Sequence, residues 1–175
     1  TRIHKLPSLC LPDIKKDRGN KLQKKFDRKK IKVLTLGSPH NGFTKMGILY
    51  FYEYIWPYII KNKLEKKFEF NFIGKLSHNY DLLNKLNHPS INFLGYVKNI
   101  QPSIQTSDVV LISNNLAPGA GSKLSTIAAY GGCMLVHKVV VDSHIEFRNG
   151  FNCLVAENGK EFVEKMIILK NDKDL

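Results

Sequence analysis

The sequence predicts an α/β fold, a Rossmann-like parallel sheet with helices on both faces. From Lys32 onward, short apolar runs of strand length alternate with segments of helical periodicity. This alternation is typical of parallel strands joined by right-handed crossovers. Three of the strand-like runs end in glycine, at Gly37, Gly74 and Gly95. Because open parallel sheets bind ligands at the carboxyl ends of their strands, these glycines indicate a ligand edge where the backbone can turn tightly or be approached closely.

The elements of the first half follow from local patterns. The β-branched run KVLTL at Lys32–Leu36 predicts the first strand. Met46–Ile60 is rich in aromatic residues and has apolar residues at helical spacing, so it predicts a helix. Pro57 should kink that helix because proline lacks the N–H that a helical turn needs. The run FEFNFI at Phe68–Ile73 predicts the second strand, and spaced leucines predict a helix over His78–Leu86.

The middle of the chain continues the alternation. The run INFL at Ile91–Leu94 predicts a third strand, and Ile100–Thr106 has the pattern of a short helix. Asp108–Ile112 (DVVLI) predicts a fourth strand that is apolar enough to be buried on both faces, as strands of parallel sheets are.

The last elements begin with a helix over Ser122–Tyr130, for which Ser122 is a plausible N-cap and Gly131 a C-terminal stop. Cys133–Val136 predicts the fifth strand. Two elements complete the fold, a sixth strand at Cys153–Val155 and a closing helix at Gly159–Leu169.

The net charge of +12 is concentrated near the start of the chain. Residues 1–32 carry +9, whereas residues 33–175 carry only +3. We expect residues 1–31 to be the end of a preceding domain and a basic interdomain linker, and residues 32–175 to be a separate domain truncated at its C-terminus. The basic excess between Lys15 and Lys32 fits a solvated linker. It also fits a patch that attracts anionic lipids or nucleic acid.

Composition disfavours several classes of protein. The three cysteines, at positions 10, 133 and 153, are sparse and form no C-x-x-C pair, which indicates reduced thiols in a cytoplasmic protein. The six histidines show no metal-ligand spacing, so we expect no metal site; His137 alone falls near the predicted ligand edge. The longest apolar stretch, residues 46–60, is too short to span a bilayer.

A Pro–Gly turn after the fourth strand is the best candidate for a phosphate site. Residues 114–123 read NNLAPGAGSK, so the chain leaves a buried strand and enters a helix. The free N–H groups and the dipole of a helix start favour an anion. Gly119 and Gly121 keep side chains out of the way, and Ser122 and Lys123 offer a hydroxyl donor and a positive charge to a diphosphate.

Several segments, in this order, are together similar to one family over nearly all of residues 32–175. They are KVLTLGS at 32–38, the aromatic run at 47–57, FIGK at 72–75, INFLGYV at 91–97, TSDVV at 106–110 and NGFNCLV at 149–155. The segment GAGSKLSTIAAYG at 119–131 is similar to the family's donor-binding segment. The chain therefore resembles the C-terminal domain of retaining GT-B glycosyltransferases, the glycosyl transferases group 1 family.

The resemblance implies one half of a GT-B two-domain fold that binds a nucleotide-diphosphate sugar as the donor substrate, with no other cofactor and no metal. Lys123 becomes the candidate stabiliser of the leaving diphosphate. The implied donor-binding residues are Gly37, Ser38, Gly74, Lys75, Gly95, Val97, Pro118, Gly119, Gly121, Ser122, Lys123, Leu124 and Thr126. The acceptor, a glycan or a lipid-linked sugar of cell-envelope synthesis, would bind through an N-terminal domain. Such an enzyme is cytoplasmic, with peripheral membrane contact, and needs no nucleic acid.

Two positions depart from the family pattern. Pro118 and Thr126 stand where the family has acidic residues, and a threonine can hydrogen-bond ribose hydroxyls without supplying a carboxylate. Either donor binding is altered, or this member has lost activity. The absence of the glutamate at Thr126 favours one alternative, a non-catalytic nucleotide-binding or scaffold module. Two others are half of a sugar-nucleotide epimerase, which shares the two-lobed architecture, and a basic nucleic-acid binder.

Overall fold

The computed structural model describes residues 29–75, 84–116 and 121–171. These residues form one six-stranded sheet with helices on both faces, which confirms the predicted fold class. The strands are β1 (Ile31–Leu36), β2 (Phe68–Ile73), β3 (Ile91–Gly95), β4 (Val109–Ile112), β5 (Met134–His137) and β6 (Leu154–Ala156). The helices are α1 (Gly42–Tyr50), α2 (Trp56–Lys61), α3 (Gln101–Thr106), α4 (Gly121–Ala129), α5 (Lys138–Val141) and α6 (Gly159–Asn171).

All strand pairs are parallel, and the strand order is β3-β2-β1-β4-β5-β6. This is the order of doubly wound nucleotide-binding sheets. The chain starts in the middle at β1, winds outward to β3, returns to β4 beside β1 and winds outward the other way. The order therefore reverses between β1 and β4, and a crevice opens outside their carboxyl ends.

Two apolar cores cover the two faces of the sheet. Alternate residues of β4 contribute to the two cores. Val109 and Leu111 face α1, α2 and α6. Val110 and Ile112 face α3 and α4 on the other side of the sheet. All four side chains are at most 4% exposed, which confirms the expectation of a strand buried on both faces. Burial of this kind requires continuous apolar residues, because neither face of the strand meets water.

The predicted helix over Met46–Ile60 is a longer and less regular element. It starts at Gly42, and the side chain of the preceding residue, Asn41, accepts hydrogen bonds from two backbone N–H groups of the first turn. The element then passes through a π-helical turn at Phe51–Ile55 before α2. The N–H of Trp56 bonds to the carbonyl of Phe51. Pro57 was expected to kink this helix, and the structure has a π turn that ends two residues before it, at Ile55.

The start of α4 differs from the prediction, whereas its end agrees. Gly121 is already helical, so Ser122 lies inside the first turn and is not the N-cap. At the other end Gly131 has φ +68°, the N–H of Gly131 bonds to the carbonyl of Ala128, and the N–H of Gly132 bonds to that of Ile127. This pair of bonds is a Schellman motif, which confirms the predicted glycine stop.

Other boundaries moved by one or two residues. The strand predicted at Cys133–Val136 runs over Met134–His137, and the closing helix extends to Asn171. The short helix α5 and a 3₁₀ turn at Glu65–Lys67 were not predicted. Most of the helix expected over His78–Leu86 lies outside the described residues, as do the basic segment before residue 29 and Cys10.

Candidate functional site

The glycine-terminated ends of three neighbouring strands meet at the carboxyl edge. The N–H of Gly37 donates to the carbonyl of Ile73, and the N–H of Gly74 donates to that of Gly95, both at 2.8 Å. All three glycines have positive φ. A Cβ added at Gly74 would collide with the carbonyl oxygen of Gly37, so the first two strand ends approach closely only because Gly74 has no side chain.

A lysine and a threonine meet above Gly37, at the point where the strand order reverses. The Nζ atom of Lys123, on α4, donates to Oγ1 of Thr44, on α1, at 2.7 Å. A Cβ on Gly37 would lie 2.6 Å from Oγ1 of Thr44 and 2.9 Å from Nζ of Lys123. The missing side chain of Gly37 therefore makes room for this pair. Burial lowers the pKa of Lys123 to about 8, because desolvation disfavours the charged amine.

The two helices that flank this crevice differ at their N-termini. At α1, Oδ1 of Asn41 accepts from the N–H groups of Phe43 and Thr44 at 3.0 and 3.2 Å. These two N–H groups are therefore not available to an external anion. At α4, the first residue is Gly121, and a Cβ there would lie 2.8 Å from Nε2 of His144. Nδ1 of His144 lies 2.8 Å from the carbonyl of Val140, which directs the ring edge carrying Nε2 toward the start of α4.

A cavity of about 280 Å³ opens beside Lys123. Apolar side chains from three strand ends and from the start of α3 form most of it, and the first two turns of α4 close one side. Its lining residues are Leu36, Gly37, Ile73, Gly74, Tyr96, Val97, Ile100, Ser122, Lys123 and Thr126. Tyr96 is 77% exposed, so the ring lies at the mouth. The cavity thus combines an apolar slot with one cation and a helix start.

A family model for glycosyl transferases group 1 matches residues 30–172. The chain belongs to this family. A search of curated proteins gave no match. Among solved structures, the described fold is similar to HepE from Anabaena, which was crystallised in complex with UDP. The similarity has a TM-score of 0.62 at 12% identity, and it covers 83% of this chain and 40% of that one. The fold is therefore a Rossmann-like half of the GT-B architecture.

This group 1 domain brings six of the implied donor-binding residues into one cavity, and Gly121 directly precedes one of them, Ser122, in α4. The six are Gly37, Gly74, Val97, Ser122, Lys123 and Thr126. Ser38 and Lys75 do not line the cavity, and Oγ of Ser38 donates to the carbonyl of Lys75 at 2.6 Å. Gly95 does not line the cavity, but its carbonyl accepts from the N–H of Gly74, which does. Pro118 and Gly119 lie outside the described residues.

Leu124 does not reach the cavity. It is fully buried in the core beneath α4, beside Ile127. Successive residues of a helix point about 100° apart, so Leu124 turns toward the sheet when Lys123 faces the crevice. Thr126, three residues after Lys123, returns to the crevice side, and its hydroxyl donates to the carbonyl of Ser122 at 2.7 Å.

Sequence reasoning missed several residues that shape the site, above all Thr44. The helix α1 was expected to begin at Met46, which left Asn41 and Thr44 in a loop. An available signal was Asn41 itself, because asparagine is one of the residues preferred at the N-cap of a helix. Ile100, which precedes α3 and lines the cavity, was also missed.

His137 lies at the ligand edge, as expected, but it has a structural role. It is 6% exposed, and Nδ1 accepts from the N–H of Val139 at 3.3 Å as the N-cap of α5. The ring packs edge-on against Tyr50. Burial lowers the pKa of His137. These contacts enclose the imidazole, and His137 does not line the cavity of Lys123.

A larger cavity of about 510 Å³ lies at the opposite, amino edge of the sheet. It is lined by Cys133 and Cys153, which are not joined by a disulfide, and by Asp108, whose carboxylate accepts from the N–H of Lys32 at 2.7 Å. Neither a lysine nor a helix N-terminus lines it. Volume alone would favour this cavity, but the chemistry for an anion lies at the carboxyl edge.

Two kinds of feature are absent from the described residues. No helix among residues 29–75, 84–116 and 121–171 is long and apolar enough to cross a membrane. Within the same ranges, His, Cys, Asp and Glu side chains form no group of three or more that could hold a metal ion.

Proposed function

We propose that this domain binds the nucleoside diphosphate of a nucleotide-sugar donor in the crevice between β1 and β4. The observation that carries the proposal is the buried Lys123 amine, held against Thr44 beside the start of α4. A helix start and a cation that converge on a cleft form a site for a diphosphate. The family, and the UDP in the structure of HepE, support a nucleotide sugar as its source.

The apolar part of the cavity suits the base. Ile73, Val97 and Ile100 provide a slot beside Lys123, and Tyr96 offers a ring face at its mouth. Apolar walls with a few polar groups are usual for nucleotide pockets. The hydroxyl of Thr126 has its proton committed to Ser122, so its oxygen can accept a hydrogen bond from a ribose hydroxyl.

The catalytic contribution of this half would be positioning and charge stabilisation. When the glycosidic bond to the diphosphate breaks, negative charge grows on the leaving phosphate. The ammonium of Lys123 and the N–H groups at the start of α4 would stabilise that charge. In this proposal the domain is the donor half of a retaining, cytoplasmic hexosyltransferase. A second domain supplies the acceptor site for a glycan or lipid-linked sugar, and residues 1–31 contain the basic linker.

A non-catalytic nucleotide-binding module is the second candidate. The described residues that line the cavity carry no carboxylate, and Thr126 stands where the family pattern has an acidic residue. Such a module would bind the nucleotide without orienting the sugar. It would bind UDP and a UDP-sugar with equal affinity, whereas a donor site gains contacts from the sugar.

Calorimetric titration of the 175-residue chain with UDP, GDP and ADP tests the proposal. We expect saturable binding of at least one of these nucleotides, with one site per chain. Lys123→Ala should weaken it on the order of tenfold or more, because hydrogen bonds to charged groups are worth about 1.5–3 kcal/mol. Lys66→Ala is the matched control, because Lys66 is exposed at the opposite edge. Absence of binding, or equal losses in both variants, would overturn the proposal.

A further inference from the structure

We propose that Thr44 is a positioning residue, whose hydroxyl holds the Lys123 amine in the crevice where the diphosphate binds. The inference rests on the proposed function and concerns the same site. Lys123 and Thr44 are 79 residues apart in sequence, and their contact spans the crevice between β1 and β4. Thr44 would touch the lysine and not the donor.

The Thr44 hydroxyl is itself fixed by its surroundings. Thr44 is 4% exposed, and its backbone N–H is held by the side chain of Asn41 at the start of α1. Threonine is branched at Cβ, so its side chain has few accessible rotamers in a helix. Gly37 leaves the space that both partners occupy. The hydroxyl is thus a rigid acceptor at a defined point on the crevice wall.

A rigid acceptor matters because the lysine side chain is flexible. A free lysine loses considerable rotamer freedom when a ligand immobilises it. An amine that is already held by Thr44 has lost part of that freedom before the diphosphate arrives. The geometry therefore predicts that removing the hydroxyl weakens diphosphate binding although the charge remains.

The hydroxyl also favours the charged form of the amine. Burial lowers the pKa of Lys123 to about 8. Titratable side chains on the surrounding elements are Lys45 and Tyr50 on α1, Lys75 after β2, Tyr96 in the cavity lining and His144 beside Gly121. A hydrogen bond from the amine to Oγ1 is stronger when the amine is an ammonium. Without that acceptor, the pKa of Lys123 should fall further.

The experiment measures UDP affinity of the full chain from about pH 6 to about pH 10, with Thr44→Val, Thr44→Ser and Thr106→Val. Valine keeps the shape of threonine and loses the hydroxyl, whereas serine keeps the hydroxyl. Thr106 is exposed at the end of α3, outside the cavity, so Thr106→Val is the control. In the unaltered chain, affinity should fall as the pH rises through the pKa of Lys123, because the neutral amine attracts a diphosphate less.

We expect Thr44→Val to reduce affinity at neutral pH about tenfold and to move the midpoint of the pH profile to lower pH. Thr44→Ser should restore both, and Thr106→Val should change neither. A loss in Thr44→Val that is equal at every pH, with the midpoint unmoved, would show a packing role and overturn the inference. Unchanged affinity would overturn it as well.

Direct titration of Lys123 keeps the test decisive even if Thr44→Val folds poorly. The ¹³Cε resonance of Lys123 in the nucleotide-free chain reports its protonation, and Thr44→Ala is a second variant without the hydroxyl. A lower midpoint in that variant supports the inference, and an unchanged midpoint contradicts it. If the unaltered chain binds no nucleotide at all, the proposed function fails, and that result is separate from any effect of Thr44.

Discussion

The amine of Lys123 donates to the hydroxyl of Thr44 at 2.7 Å, and this bond joins two helices that pack on opposite faces of the sheet. Thr44 belongs to α1, and Lys123 belongs to α4. The bond crosses the crevice where the strand order reverses, directly above Gly37. A charged group at this place has consequences for stability as well as for binding.

The stability of the nucleotide-free chain should increase with pH because of Lys123. Burial lowers the pKa of Lys123 from 10.5 to about 8 in the folded state, and the unfolded chain keeps the ordinary value. Between these two pH values the unfolded state binds more protons, so the free energy of unfolding rises with pH in this window. Below about pH 8 both states are protonated and the effect is constant.

Urea denaturation of the unaltered chain and of Lys123→Met, at about pH 7.5 and about pH 10.5, measures this contribution. The unaltered chain should gain roughly 1–3 kcal/mol relative to the variant over this interval, since one pKa unit corresponds to about 1.4 kcal/mol. Methionine has a similar length and no charge. Because the other titrating groups are the same in both chains, their contributions cancel in the comparison. Parallel pH profiles would show that the amine is not desolvated in the fold.

Gly74→Ala should destabilise the domain. Gly74 has φ +156°, and a Cβ there would collide with the backbone of Gly37 and Ser38. The strand ends would have to separate, at a cost of about 2–4 kcal/mol. Gly42→Ala is the matched control, because nothing lies within 4 Å of a Cβ at that helical position; it should be neutral or stabilising. Thermal unfolding distinguishes them, and similar midpoints would argue against the close approach of β1 and β2.

Asn41→Ala should lower the free energy of unfolding by about 1 kcal/mol, because the N–H groups of Phe43 and Thr44 lose their acceptor. Asn41→Asp retains an acceptor oxygen and should behave like the unaltered chain within a few tenths of a kcal/mol. Chemical denaturation checks both variants. If Asn41→Asp is as unstable as Asn41→Ala, the side chain does not act as the cap of α1.

The strands were predictable because their signal is local. The run FEFNFI at Phe68–Ile73 is rich in apolar residues and is followed by Gly74, so its bounds were correct to the residue. The bounds of the other five strands were correct to within one residue. The glycine stop at Gly131 was predictable for the same reason. These features depend on a few neighbouring residues, and no distant contact overrides them.

The contacts of the site depended on tertiary structure. Nothing near Thr44 indicates a lysine 79 residues away, and the pairing exists only because β1 and β4 lie side by side. The motif similarity put Leu124 in the donor segment, but helical geometry turns it into the core. Ser122 lost its expected cap role because Gly121, lying against His144, already begins the helix.

Chemical-shift mapping with UDP tests the central claim most directly. On a ¹⁵N-labelled chain, we expect saturable shifts at Gly37, Gly74, Val97, Ser122 and Lys123, the cavity at the carboxyl edge. Residues such as Cys133 and Leu154, at the amino edge, should be unaffected. Saturable shifts confined to the amino edge, or no saturable shifts with UDP, GDP or ADP, would contradict the assignment of the crevice between β1 and β4 as the nucleotide site.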